Sequence, residues 1–157
     1  MINFILIFNR QSKIRLQKWY DVYSNKEKMH IIKDVASIIM NRNGKMSNIL
    51  EWKSMKIVYK RYASLIIVFA ISTNDNELIA LELMHRYVEV LDSYFVNVCE
   101  LDIIFQFKKA YFLLDELIMA GEIQETSLNS VVNNVHYADS YEEEELKTFR
   151  ISDTIFM

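Results

Sequence analysis

Leu65-Ile66-Ile67-Val68-Phe69-Ala70-Ile71 is the stretch of this 157-residue chain that decides the fold class. Seven consecutive apolar residues, mostly β-branched or aromatic, read as a strand. Side chains on a strand alternate between two faces, so a strand apolar at every position needs cover on both sides. Just upstream, residues 49–52 and 56–62 are two more runs of strand type, too short and unperiodic for separate helices. Residues 1–8 form a further apolar run. They give way to Asn9-Arg10-Gln11-Ser12-Lys13, a polar interruption of turn length. Residues 14–20 then alternate, with Ile14, Leu16, Lys18 and Tyr20 on one side and Arg15, Gln17 and Trp19 on the other. Two runs joined this way predict a hairpin, and the strand count reaches five.

The helices bracket these strands. Ser24-Asn25-Lys26-Glu27 has the spacing that lets serine and glutamate each satisfy the other's end of a first helical turn. Ile31, Ile32, Val35, Ile38 and Ile39 recur behind it at helical spacing, so a helix should run to about Met40, with Asn43-Gly44 beyond it. Asn74-Asp75-Asn76-Glu77 offers caps for a second helix. Its apolar face is Leu81, Met84, Tyr87, Val88, Leu91, Tyr94, Phe95 and Val98. A third helix is expected over residues 101–119 through Ile104, Phe107, Tyr111, Leu114 and Ile118, stopped by Ala120-Gly121, with a short last helix after Thr126-Ser127. The expected organisation is a folded domain of residues 1–139 and an acidic, solvated tail of 140–157 around Glu142-Glu143-Glu144-Glu145. The order β, β, α, β, β, β, α, α predicts one α+β domain with helices on a mostly antiparallel sheet.

Composition agrees. The chain has two glycines and no proline, where average usage gives roughly 11 and 8. An apolar fraction of 52% and an aromatic fraction of 13% suffice for a sizeable core and exclude a largely disordered chain. The single cysteine, Cys99, cannot form an internal disulfide, so a reducing, cytoplasmic setting is expected. The densest apolar run, residues 63–71, is far short of the roughly 20 residues that cross a bilayer. The opening residues lack the basic flank and cleavage site of a signal peptide. Charge is lopsided: residues 1–61 hold 13 Lys and Arg against 4 Asp and Glu, and residues 62–157 hold 5 against 17. This predicts a basic surface from the first half and an acidic face or tail from the second.

Little in the chain carries chemistry. His30, His85 and His136 have no metal-type spacing, and two isolated glycines make no phosphate loop. A Cys99–His85 pair would need geometry that mere presence does not supply, and the lone cysteine reads as packing on an apolar helix. Glu100 and Asp102 place negative charge at the start of the third helix. No catalytic residue, metal or cofactor is expected.

The segments RLQKWY (15–20), LEW (50–52), KIVYKRYASL (56–65), DNELIALELMHRYVEVLD (75–92) and VCELDIIF (98–105) strongly resemble the small, sigma, subunit of clathrin adaptor complexes. KAYFLLDE (109–116) and GEIQETS (121–127) extend the match, so the resemblance spans about residues 1–132 in register. LEW, YKRYASL (59–65) and HRYVE (85–89) look most like the member from adaptor complex 1. Asn3, where the family usually has a basic residue, and the tail after about Val132 depart from the pattern.

The resemblance implies a longin-like fold: a five-stranded antiparallel sheet with one helix on one side and two on the other. It implies a direct partner, a gamma-type large subunit, with beta and mu subunits completing a heterotetramer. Clathrin and an Arf-family GTPase would be met through that complex. Membrane contact would be peripheral, on the cytosolic face of the trans-Golgi network, endosomes and coated vesicles, with no nucleic-acid partner. The implied cargo is an acidic dileucine sorting signal, an acidic residue followed by two bulky aliphatics. By position, Arg15 would meet the acidic residue, and Ala63, Leu65, Val88, Asn97, Val98 and Ile103 would form the leucine pockets. Val88 would stand exposed in an empty groove, and Ala63 and Leu65 would lie on a strand edge. The family reads tyrosine-based signals through the mu subunit. A longin-type subunit of the coatomer coat and a longin-type GTPase regulator are the alternative readings.

Overall fold

The computed structural model describes residues 2–119, 122–123, 136–137, 139–141 and 143–147. The expected helix stop at Ala120-Gly121 and the short helix after Thr126-Ser127 lie outside the described residues. Five strands, β1 (Ile2–Asn9), β2 (Ile14–Trp19), β3 (Ile49–Trp52), β4 (Met55–Tyr62) and β5 (Leu65–Ser72), form one sheet in the order β2-β1-β5-β4-β3. Every neighbouring pair is antiparallel. The deciding stretch is β5, and it lies at the centre. Leu65, Ile67, Phe69 and Ile71 face one core, and Ile66, Val68 and Ala70 face the other. Helix α1 (Asn25–Met40) closes the second core with Ile31, Val35, Ala36 and Ile39. Helices α2 (Glu77–Phe95), α3 (Glu100–Phe105) and α4 (Phe107–Leu117) close the first. The α+β, longin-like architecture is therefore present. A small ribbon, β6 (Ile118–Met119) against β7 (Glu122–Ile123), follows α4. Described residues between 136 and 147 are helical, and those of the expected tail among them, 140, 141 and 143–147, are exposed. No described helix is long and apolar enough to cross a membrane.

Three local expectations are corrected. In β2, Phe8 pairs with Ile14 and Ile7 with Leu16, so Arg15 is the extra residue of a β-bulge. The bulge flips the alternation: Ile14 packs on the α1 side and Leu16 on the α2–α4 side, not together. The single helix expected over 101–119 is two. Gln106 has φ −119° and ψ 43°, and its carbonyl accepts the Lys109 and Ala110 N–H groups to start a new helix. The restart turns Phe107 outward, and Ala110, Leu113, Leu114 and Leu117 carry the buried face. Cys99 is exposed ahead of α3 rather than packed, because the chain leaves helix α2 before reaching it.

Helix α1 starts as its sequence demands. Ser24 Oγ accepts the Glu27 N–H at 3.2 Å, and the Glu27 carboxylate accepts the Ser24 N–H at 2.7 Å. These bonds hold the Glu27 carboxyl below its ordinary 4.5. Being depressed by folding, its contribution is complete above that value and fades as pH falls through the folded pKa. Ser24→Ala should cost about 1 kcal/mol in urea unfolding at neutral pH. The difference between variant and parent should shrink in acid, where the reciprocal carboxylate is lost; an equal cost at both pH values would contradict the reciprocal cap. Helix α2 opens on Asn76, whose Oδ1 accepts the Leu78 N–H at 3.0 Å. It joins α4 through Tyr87, fully buried, whose OH donates to the Ala110 carbonyl at 2.8 Å.

Candidate peptide-binding site

The chain between α2 and α3 carries two consecutive residues with left-handed backbone, Val96 at φ 56° and Asn97 at φ 62°. Asparagine adopts this conformation readily but β-branched Val96 does not, so the turn is strained and something must hold it. Asp92 does. Its Oδ1 accepts the Val98 N–H at 3.0 Å, and its Oδ2 accepts the Tyr62 OH at 2.6 Å. That second bond, then desolvation, raises the Tyr62 phenol above its ordinary pKa. Tyr62 directly precedes the β4–β5 turn, where Ala63 has φ 51°. One carboxylate thus ties the turn bearing Ala63 to the turn bearing Asn97 and Val98.

Leu65 (β5), Val88 (α2), Val98 (the α2–α3 turn) and Ile103 (α3) belong to one buried cluster, with exposures of 2%, 7%, 6% and 0%. Two expectations are corrected here. Val88 is buried, not exposed in a groove, because the aliphatic side chains around it close together and remove their surface from water. Ala63 is an exposed turn residue and Leu65 opens the central strand β5, paired with Asn9 on one side and Tyr62 on the other, so neither lies on a strand edge. Asn97 is exposed beside the cluster.

Arg15 is aimed by its bulge toward the start of α3. Its Nε donates to Glu100 Oε1 at 2.7 Å, and both side chains are about three-quarters covered, with exposures of 25% and 23%. Asn9 Nδ2 donates to the same oxygen at 3.0 Å, while Asn9 Oδ1 accepts the Gln11 and Lys13 N–H groups. The Arg15 hydrogen bond, opposed by desolvation and assisted by Asn9, holds the Glu100 carboxyl below its ordinary value. Acidic residues 100 and 102 do occupy the first turn of α3, and the Asp102 carboxylate accepts the Cys99 N–H at 2.9 Å.

Three residues that shape this region escaped sequence reading, Asn9, Tyr62 and Asp92, and Glu100 was expected only as a helix-start charge, not as the partner of Arg15. Charge offered the only signal. Arg15–Glu100, Lys18–Asp115 at 2.9 Å and Lys56–Glu77 at 3.2 Å each join the basic first half to the acidic second. His85 pairs with Glu89 on its own helix at 2.9 Å. Among the described residues, no three His, Cys, Asp or Glu side chains gather to hold a metal. A separate cleft of about 510 Å³ lies along α1, lined by Met29, Ile32, Lys33 and Met40, and contains none of the expected site residues.

Comparison with known proteins agrees with this architecture. Residues 1–142 match the family model described as clathrin adaptor complex small chain. The chain is 53% identical over 145 residues to AP-1 complex subunit sigma-1A of Homo sapiens, covering 92% of each. It is 51% identical over 142 residues to AP-1 complex subunit sigma-1 of Schizosaccharomyces pombe, covering 90% of this chain and 88% of that one. In structure it is similar to a chain in a homology model of the full-length AP-3 complex in a stretched open conformation. The TM-score is 0.74 and the identity 28%, covering 94% of this chain and 99% of the other. On the family match and these relatives, the chain belongs to the clathrin adaptor complex small chain family and is a small subunit of such an adaptor.

Proposed function

We propose that this chain is the sigma subunit of an AP-1-type adaptor and that, with a gamma-type large subunit, it holds acidic dileucine signals on cargo tails. Beta and mu subunits complete the assembly, which works at the trans-Golgi network and endosomes. The observation supporting the signal site is the convergence of Leu65, Val88, Val98 and Ile103 from four separate segments into one cluster, beside the bulged Arg15. Two leucines of an extended peptide need such an apolar cluster, a preceding acidic residue needs a cation at its margin, and Asn97 can bond the peptide backbone. Residues 1–139 form the working domain, and the acidic residues beyond it are accessory.

The reading is tested by co-expression with the N-terminal part of a gamma-type subunit, followed by calorimetry with an acidic dileucine peptide. The expected result is co-purification and saturable binding that is lost when both leucines are replaced by serine. Co-purification with coatomer subunits instead, or a complex indifferent to the leucines, would overturn it.

A further inference from the structure

We propose that Glu100, together with α3, latches the empty peptide site shut by holding Arg15 where the signal's own carboxylate would otherwise sit. The proposal rests on the dileucine reading above. Three observations meet at α3. Its first residue, Glu100, is clasped by Arg15 and Asn9 from the β1–β2 hairpin. Its fourth residue, Ile103, is fully buried in the same cluster as Val88 and Val98. Its two ends are the strained Val96–Asn97 turn and the break at Gln106, so this six-residue helix is jointed on both sides.

The consequences follow from the geometry. A leucine cannot enter the cluster while Ile103 and Val88 are closed, so admission requires α3 to shift. A shift of α3 carries Glu100 away from Arg15, and one movement then uncovers the apolar cluster and frees the cation. An acidic residue in the peptide can replace Glu100 on Arg15, whereas a neutral one leaves Arg15 without a carboxylate. The latch therefore weakens all signals by the same factor, while Arg15 discriminates among them by charge.

Glu100→Gln keeps a carbonyl oxygen for Asn9 and removes the charge facing Arg15. Affinities are measured for the reconstituted adaptor, parent and E100Q, with an acidic dileucine peptide and with its Glu→Gln counterpart. E100Q should tighten both peptides by a similar factor, about five- to tenfold, with the ratio between them preserved. Tightening of the acidic peptide alone would mean simple competition at Arg15 without movement of α3, and the latch would be wrong. Unchanged affinity of both in a parent complex that binds would equally overturn it. The dileucine reading itself fails separately, if the parent complex binds neither peptide and E100Q does not rescue binding. A second variant, Glu100→Asp, keeps the charge but shortens the reach; it should fall between parent and E100Q, and a value tighter than E100Q would contradict the clasp.

Discussion

Val88→Asp should lower dileucine affinity of the reconstituted adaptor by two or more orders of magnitude and should also destabilise the subunit. Val88 is 7% exposed and shares its cluster with Leu65, Val98 and Ile103. An aspartate there is either an unpaired buried charge or a carboxyl forced to protonate, and each state costs several kcal/mol. Two orders of magnitude in affinity correspond to about 2.7 kcal/mol, well inside that range. Because the valine is buried before any peptide arrives, the same substitution lowers the thermal midpoint. Val88→Ala separates the two effects, since it removes volume without charge and should cost only about 1 to 3 kcal/mol in stability. Binding of a tyrosine-based peptide reports whether the assembly is intact, and it should be unchanged. Undiminished dileucine affinity in an intact Val88→Asp complex would return this valine to a purely structural role.

Asp92→Ala should cost about 2 to 3 kcal/mol in chemical unfolding. Two bonds are lost at once, from Tyr62 OH at 2.6 Å and from the Val98 N–H at 3.0 Å. The loss also releases the Val96–Asn97 turn, whose left-handed backbone persists only under restraint. Hydrogen exchange should therefore accelerate first at the amides around residue 98, ahead of the sheet. Asp92→Asn retains an acceptor for one of the two donors and should recover part of the stability. A variant as stable as the parent, with unchanged exchange at Val98, would show that the turn is held by something else.

The fold was legible because its signals are local and redundant. The seven-residue apolar run of β5 requires cover on both faces whatever its neighbours are, and the Ser24–Glu27 box marks the first residue of α1 independently of tertiary contacts. Where reading failed, long-range packing had overridden local pattern. Nothing in residues 14–20 announces that Arg15 is a bulge, because the bulge exists only against the pairing of β1. The break at Gln106 likewise follows from how Ile103 and Ala110 both reach the core, which a helical period read through residues 101–119 cannot reveal.

The residues of the candidate site were legible in part. Residue types could suggest aliphatic pockets only through resemblance, since valines at helical spacing are ordinary core. Asp92 and Glu100 each act across more than 25 residues of sequence, on Tyr62 and on Arg15, and no spacing rule connects such partners. The lopsided charge foreshadowed only the second of these, the Arg15–Glu100 pair. What looked like a basic surface and an acidic surface is in part a set of pairs between strands and helices.

The central claim is that a dileucine signal enters the cluster built from β5, α2, the following turn and α3. Its most direct test is photo-crosslinking of the reconstituted adaptor with an acidic dileucine peptide carrying a photo-activatable leucine at either position, followed by mass spectrometry. The account predicts crosslinks concentrated on Leu65, Val88, Val98 and Ile103, competed away by unlabelled peptide and lost in Val88→Asp. Competable crosslinks confined to the other subunits, or to the α1 cleft around Met29 and Ile32, would contradict it.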